Sequence, residues 1–469
     1  MQFSSPSFLF IFLPCVLLLF KAVRGTRAEN IFLSGISIVF YAFGQLSALP
    51  LLLFSVLMNW TAGIVIDRQK SARGRTGALI AGVTANLLVL CIFKYLPCFK
   101  NTMPLGISVF TFQGISYIVD VYRKEAAVSF NFCKVLLYIS FFPRIVSGPI
   151  CKYKDIEKQL DSRGFSSENT ASGIARFVIG FSKKMLISGA AAKIADYVFD
   201  LSMDGVPFDF RLAWLGAFAY AIQIYYDFSG YSDMAIGLSR IFGFRITENF
   251  NFPYAASSIR EFWRRWHISL SLWFRDYLYF PLGGNRKGKL RTAVNRMLVF
   301  ICTGIWHGSN PTFLVWGLCH GLLSNLEDIG VLPVEKMNRS KVGRVFCRLY
   351  TLLAVALLFV VFRSNTLSTA WNYLCSMFAF RTESDAVLVF AKLFSTSTLI
   401  ALLIGILGSS WFMQKLFSEM KRKYTDSSDT IRSRSGIKTA VAAGIILMFI
   451  LSLLCMANGD YSPFIYAQF

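Results

Sequence analysis

Residues 46–66 read LSALPLLLFSVLMNWTAGIVI, with no charged side chain from Leu46 to Ile66. A helix needs about 20 mostly apolar residues to cross the hydrocarbon core of a bilayer, and this segment has that length. Similar runs lie on either side: Phe8–Leu19, extended by Val23, then Ile31–Phe43, Ala78–Leu96, Val294–Trp306, Leu349–Phe362, Leu393–Phe412 and Ile437–Met456. Stretches near 104–121, 132–150, 174–200 and 211–243 are apolar but carry Gly, Pro or charge. They read as tilted, broken or re-entrant. The expected fold is an all-α polytopic membrane protein, one domain over residues 1–469, with about ten to twelve membrane-embedded helices.

Composition agrees. Of 469 residues, 16% are charged, against roughly 25% in soluble domains, and the mean hydropathy is +0.52. The net charge of +22 comes from 48 basic and 26 acidic residues. The basic residues sit in short loops between apolar spans, which argues against nucleic acid. It fits the positive-inside bias and attraction to anionic lipid. Arg24 and Arg27; Arg68, Lys70, Arg73 and Arg75; and Lys421, Arg422, Lys423, Arg432 and Arg434 therefore read as cytoplasmic, with the N-terminus and the tail Asn458–Phe469 facing outward. Met1–Ser7 has no Lys or Arg, so the first apolar stretch reads as a retained helix rather than a signal peptide. The ten cysteines form no CxxC and mostly lie in apolar runs, where Cys acts as a small hydrophobe. With no HExxH either, no metal site is expected.

Several segments are too polar for a lipid-facing helix. Residues 104–125, PLGISVFTFQGISYIVDVYRKE, place Ser108, Thr111, Gln113 and Ser116 among apolar residues and suggest a cavity wall. FFPRIVSGPI, 141–150, reads as broken or re-entrant. In QIYYDFSGYSDMAIGLSRIFGFRITENF, 223–250, Asp227 and Asp233 need Arg, Ser or Tyr partners, because an unpaired buried charge is costly.

Residues 260–281 read REFWRRWHISLSLWFRDYLYFP. Phe262, Trp266, Ser269, Trp273 and Tyr277 recur at three- and four-residue spacing, so an amphipathic helix at an interface is expected. Arg260, Arg264, Arg265, Arg275 and Asp276 occupy its other faces. Two of the three histidines, His267 here and His307 in ICTGIWHGSNPTFLVWGLCHGL (301–322), lie in strongly apolar sequence. Imidazole exchanges protons near neutral pH, and within a membrane it marks a functional site by default. In one unbroken helix His307 and His320 would lie on separate faces. The GSNP sequence after His307 should stop the helix and let the two converge.

FWRRWHISLSLWFRDYLYFPLGGNR, IWHGSNPTFLVWGLCHG, YYDFSGYSDMAIGL, PLGISVFTFQGISYIVDVYR, the opening FSSPSFLFIFLP and the tail SPFIYAQF closely resemble the membrane-bound O-acyltransferase family, and within it the bacterial alginate O-acetylation branch. The likeness runs from Phe3 to Phe469, with the core motifs in 104–322. It implies a helical fold around a central funnel, sited in a bacterial plasma membrane. It also implies an acyl thioester donor such as acetyl-CoA, supplied from the cytoplasm, with no bound cofactor. The family's essential histidine falls at His307 and its second polar position at His267. His320, Trp306, Asn310, Arg265 and Asp276 are candidate supports, and Arg264 and Arg275 candidate ligands for donor phosphate. Members of this branch generally work with an extracytoplasmic SGNH-type acetyltransferase that delivers acetyl to a surface polysaccharide. Transfer of D-alanine to teichoic acid is the alternative within the family. A transporter of polysaccharide or acyl groups is the alternative outside it, although the paired broken helices common in transporters are not evident.

Overall fold

The computed structural model describes residues 2–96, 98–99, 103–380, 382, 393–426 and 431–459. Among these residues the ordered elements are helices, with no strand. Among the described residues four helical stretches have the length and composition to cross a membrane: Glu29–Arg68, Ala72–Tyr95, Lys341–Arg363 and Thr439–Ala457; Phe8–Val23 and Thr396–Ser409 are shorter apolar helices. Several of the remaining helices are interrupted or carry buried polar groups. The molecule is thus an all-α polytopic membrane protein. The motif SPFIYAQF and all but the first two residues of the expected outward tail lie outside the described residues.

The chain divides into two compact units, Met1–Phe177 with Tyr231–Glu248 and Val178–Gly230 with Asn249–Phe469. The first contains α1 (Phe8–Val23), α2 (Glu29–Gln45), α3 (Leu49–Arg68), α4 (Ala72–Tyr95), α5 (Ile107–Arg123), α6 (Phe132–Ser140), α7 (Phe142–Ile145) and α8 (Tyr153–Asp161). It also holds most of α9 (Ser167–Ser182) and the end of α11 (Phe210–Ile241). Helix α5 is its buried axis, enclosed from Ile107 to Val121. Thr111, Gln113 and Ser116 thus face protein instead of lipid. Gly106 starts α5 at φ +70°, and a Cβ there would lie 1.9 Å from the Ile145 carbonyl oxygen, so only glycine permits this approach. As expected, 141–150 is broken: the four-residue α7 is followed by a turn and then irregular chain. Arg144 there is buried, donating to the Tyr138 carbonyl at 3.0 Å. Asp233 is paired with Arg176 at 2.8 Å.

The second unit contains the rest of α9 and α11, a π-helical stretch Lys183–Ser188 and α10 (Gly189–Met203). It continues with α12 (Ile259–Arg265), α13 (Ile268–Phe274), α14 (Gly288–His307), α15 (Pro311–Ile329), α16 (Val334–Met337), α17 (Lys341–Arg363) and α18 (Leu367–Phe378). Last come α19 (Thr396–Ser409), α20 (Trp411–Asp426) and α21 (Ile431–Ala457). Asp227, in α11, is fully buried against Lys184 at 2.6 Å. Lys184 thus supplies an ion-pair partner for this buried carboxylate.

Candidate active site

Helices α14 and α15 form a hairpin whose closeness depends on glycine. A Cβ on Gly304 would stand 2.5 Å from the Phe313 carbonyl oxygen, and one on Gly317 would stand 2.5 Å from that of Phe300. Small residues facing each other let helix backbones approach this way in membranes. The expected stop is present. Helix α14 ends at His307, and α15 opens with Pro311 behind an Asn310 cap that accepts the Thr312 N–H at 3.3 Å. The Asn310 amide also donates to the Asn365 carbonyl at 2.6 Å, tying the turn to the segment after α17.

His307 is therefore held at a helix end inside an aromatic box. Its ring lies 4.8 Å from Trp306, 5.2 Å from Trp316 and 4.9 Å from Phe362, the last two nearly perpendicular to it. Phe362 comes from α17, so three helices build the enclosure. The next residue, Arg363, is fixed by Asp196 at 2.6 Å and Gln223 at 3.1 Å, with its guanidinium 4.8 Å from both the Phe199 and Tyr220 rings.

His267 departs from expectation. The segment is not one amphipathic helix: α12 stops at Arg265, α13 starts at Ile268, and His267 between them takes φ +44°. The backbone of 249–251 makes the break, since the Asn249 carbonyl accepts the Ile268 N–H at 2.9 Å and the Asn251 N–H donates to the Arg265 carbonyl at 3.0 Å. The face of Phe262, Trp266, Ser269 and Trp273 is real but buried within the protein. His267 is buried too. Its Nδ1 is 3.1 Å from Asn249 Oδ1, and its ring meets Phe228 edge-on at 4.7 Å and Trp306 at 6.0 Å.

His320, fully buried on α15, does not meet His307 directly. Trp316 stands between them, 5.2 Å from one ring and 4.9 Å from the other. The Trp263 indole donates to His320 Nδ1 at 3.3 Å, which places the His320 proton on Nε2. That Nε2 has no partner among the described residues. The histidines thus alternate with tryptophans in the order His267, Trp306, His307, Trp316, His320.

The charged candidates lie around this ladder. Asp276 is buried and bonded by Arg275 at 2.7 Å, and Arg275 also sits over the Phe280 ring. Arg265 is held by Glu261 at 2.6 and 2.9 Å. Arg264 lines a cavity of about 110 Å³ with Glu261, Glu327 and Glu335, carboxylates that oppose a phosphate there. Glu327 was not evident in the sequence. From α15 its carboxylate accepts the N–H groups of Ile259 and Arg260, at 2.7 and 3.1 Å, and so caps α12. Asn249 was also overlooked, although a polar residue closing the 223–250 segment was a visible signal. Among the described residues no three His, Cys, Asp or Glu side chains gather as metal ligands.

A histidine ending one helix, in a box closed by the next, is the setting of the WHG motif, and residues 36–331 match the model of the "MBOAT, membrane-bound O-acyltransferase family". The chain belongs to the membrane-bound O-acyltransferase family. It is 36% identical to "Probable alginate O-acetylase AlgI" of Azotobacter vinelandii, over the full length of both chains. It is 33% identical to "Peptidoglycan O-acetyltransferase" of Helicobacter pylori, covering 80% of this chain and 79% of that one. It is 31% identical to "Teichoic acid D-alanyltransferase" of Bacillus subtilis, covering 75% and 94%. This membrane-bound O-acyltransferase holds His267 and His307 in one unit, within the segment from α12 to α15.

Proposed function

We propose that the protein moves an acetyl group from a cytoplasmic acyl thioester, such as acetyl-CoA, toward O-acetylation of an extracytoplasmic polysaccharide of the alginate kind. An SGNH-type acetyltransferase outside a bacterial plasma membrane would complete delivery. Full-length similarity to an alginate O-acetylase supports the acetyl reading over the D-alanyl one, where the similarity covers three quarters of the chain.

The observation that carries the chemistry is His307, a buried imidazole at a helix end walled by Trp306, Trp316 and Phe362. The acceptor hydroxyl oxygen attacks the thioester carbonyl carbon while His307 takes the hydroxyl proton. The C–S bond then breaks, and the proton passes to the leaving sulfur, giving ester and thiol. Such base catalysis contributes about 10²–10⁴-fold. His267 acts as a positioning residue through Trp306, the indole it touches. Water exclusion by the aromatic wall strengthens each polar interaction inside.

The test is His307→Ala in cells and in purified membranes. The variant should remain in the membrane and lose transfer of labelled acetyl. Equal ester-linked acetate on every surface polymer of wild-type and deletion cells refutes the acetylation reading. Substrate flux through wild-type protein, with no acylated product, would instead identify a transporter.

A further inference from the structure

A cavity of about 440 Å³ opens in the second unit, away from the histidines, between α11, α17, α19 and the start of α20. This volume is within the range of about 300–1,000 Å³ usual for ligand sites. Its walls are almost wholly apolar, with Phe218, Ile222, Leu352 and Ile406 among them. Leu349 and Ile406 are exposed on α17 and α19, two helices apolar enough to lie in lipid.

One end is different. Arg348 reaches the cavity there, with its guanidinium 4.9 Å from the Trp411 ring. Its Nε is buried and has no hydrogen-bond partner among the described residues. Glu261, a carboxylate acting on Arg348, is already doubly bonded by Arg265. The charge is therefore not neutralised locally, and Arg344 adds to it one turn earlier on α17. Lys341 and Arg344 make this the basic end of α17. A tryptophan and arginines at a helix end mark headgroup depth, and basic pockets between transmembrane helices recognise anionic headgroups on the cytoplasmic side. Arg348 lies 14 residues from Phe362, the wall of the His307 box, or about 21 Å along the helix.

We infer that this cavity is a site for an anionic phospholipid, its phosphate on Arg348 beneath Trp411 and an acyl chain along the groove of α11, α17 and α19. The shape separates this occupant from a soluble phosphate compound. A water-soluble ligand would leave the apolar groove unfilled, whereas a lipid satisfies both ends.

The test uses the full-length protein in nanodiscs of phosphatidylcholine and phosphatidylglycerol at 4:1, with retained lipid counted by native mass spectrometry after transfer to detergent. Wild type should retain phosphatidylglycerol over phosphatidylcholine in a ratio about fivefold above that of the bulk bilayer, the factor expected for one basic side chain near the headgroup. Arg348→Gln should abolish the enrichment, and Arg348→Lys should keep most of it. Ala356→Phe, which fills the groove and leaves Arg348 intact, should lower retention of both lipids. If Arg348→Gln fails to elute as a folded species, Arg348→Lys and Ala356→Phe still decide. Retention at the bulk ratio in wild type, equal enrichment in Arg348→Gln, or undiminished lipid retention in Ala356→Phe overturns the inference. So does displacement by glycerophosphoglycerol at matched concentration, because a headgroup lacking chains would then suffice.

Discussion

His267 holds φ at +44°, a left-handed backbone that costs a side chain with a Cβ roughly 1–2 kcal/mol. Asn249 stabilises it: its backbone carbonyl takes the Ile268 N–H, and its side-chain oxygen faces His267 Nδ1 at 3.1 Å and Ser269 Oγ at 2.8 Å. Asn249→Ala should therefore destabilise the fold by about 1–3 kcal/mol, the cost of leaving buried polar groups unbonded, and should reduce acyl transfer. At His267 itself, Asn tolerates the left-handed region and Val does not. His267→Asn should melt above His267→Val by an amount equivalent to about 1–2 kcal/mol, both being deficient in transfer. Thermal unfolding in detergent reads this, and equal midpoints for the two variants would refute the role given to backbone strain. No spacing in REFWRRWHISL announces a left-handed residue, because the cause lies in the backbone of 249–251, brought there by the fold.

At the scale of elements, the boundaries most legible in the sequence were those set by chemistry within a few residues. Pro311 and the Asn310 cap end α14 where GSNP says they should, and the apolar runs 294–306 and 349–362 fall inside α14 and α17. The single run expected over 393–412 is divided instead, with Ser410 between α19 and α20. What the sequence hid were pairings between distant elements. Glu327 looks like a surface acid near the end of an apolar helix, yet it caps α12 from 67 and 68 residues away. Glu327→Ala removes both acceptor oxygens from the first turn of the helix leading to His267, and a loss of about 1–3 kcal/mol should follow. Glu327→Gln, which keeps one carbonyl oxygen, should lose less. The glycines of α14 and α15 give a sharper contrast. Gly317→Ala places a methyl 2.5 Å from the Phe300 carbonyl oxygen, so the hairpin must open, at an overpacking cost of about 1–3 kcal/mol. Transfer should fall because Trp316, one residue earlier, walls the His307 box. Gly77→Ala on α4 meets nothing within 4 Å and should be neutral or stabilising by up to ~1 kcal/mol. If Gly317→Ala behaves like Gly77→Ala in both melting and transfer, the hairpin does not depend on close approach.

Across the whole molecule, an apolar composition with a net charge of +22 raises the question of where buried charge is compensated. The structure gives acidic partners within each unit: Glu29 with Arg163 and Asp233 with Arg176 in the first, Asp196 with Arg363 and Asp227 with Lys184 in the second. The Lys184–Asp227 pair is the most enclosed of these, at 3% and 1% exposure. Its energetics differ from those of a surface pair. Desolvating two charges is expensive and their attraction only roughly repays it, so losing one partner costs about 3–5 kcal/mol while replacing both by apolar groups is often neutral. Lys184→Met or Asp227→Leu alone should therefore destabilise the protein strongly, and the double variant should recover most of the loss in detergent melting. The residue after Asp227 is Phe228, which packs on His267 at 4.7 Å, so transfer reports separately on the pair. A double variant that melts like wild type but transfers slowly would make the ion pair a positioning device for His267. One that recovers both would leave it a purely structural neutralisation. One as unstable as either single variant would contradict mutual neutralisation altogether.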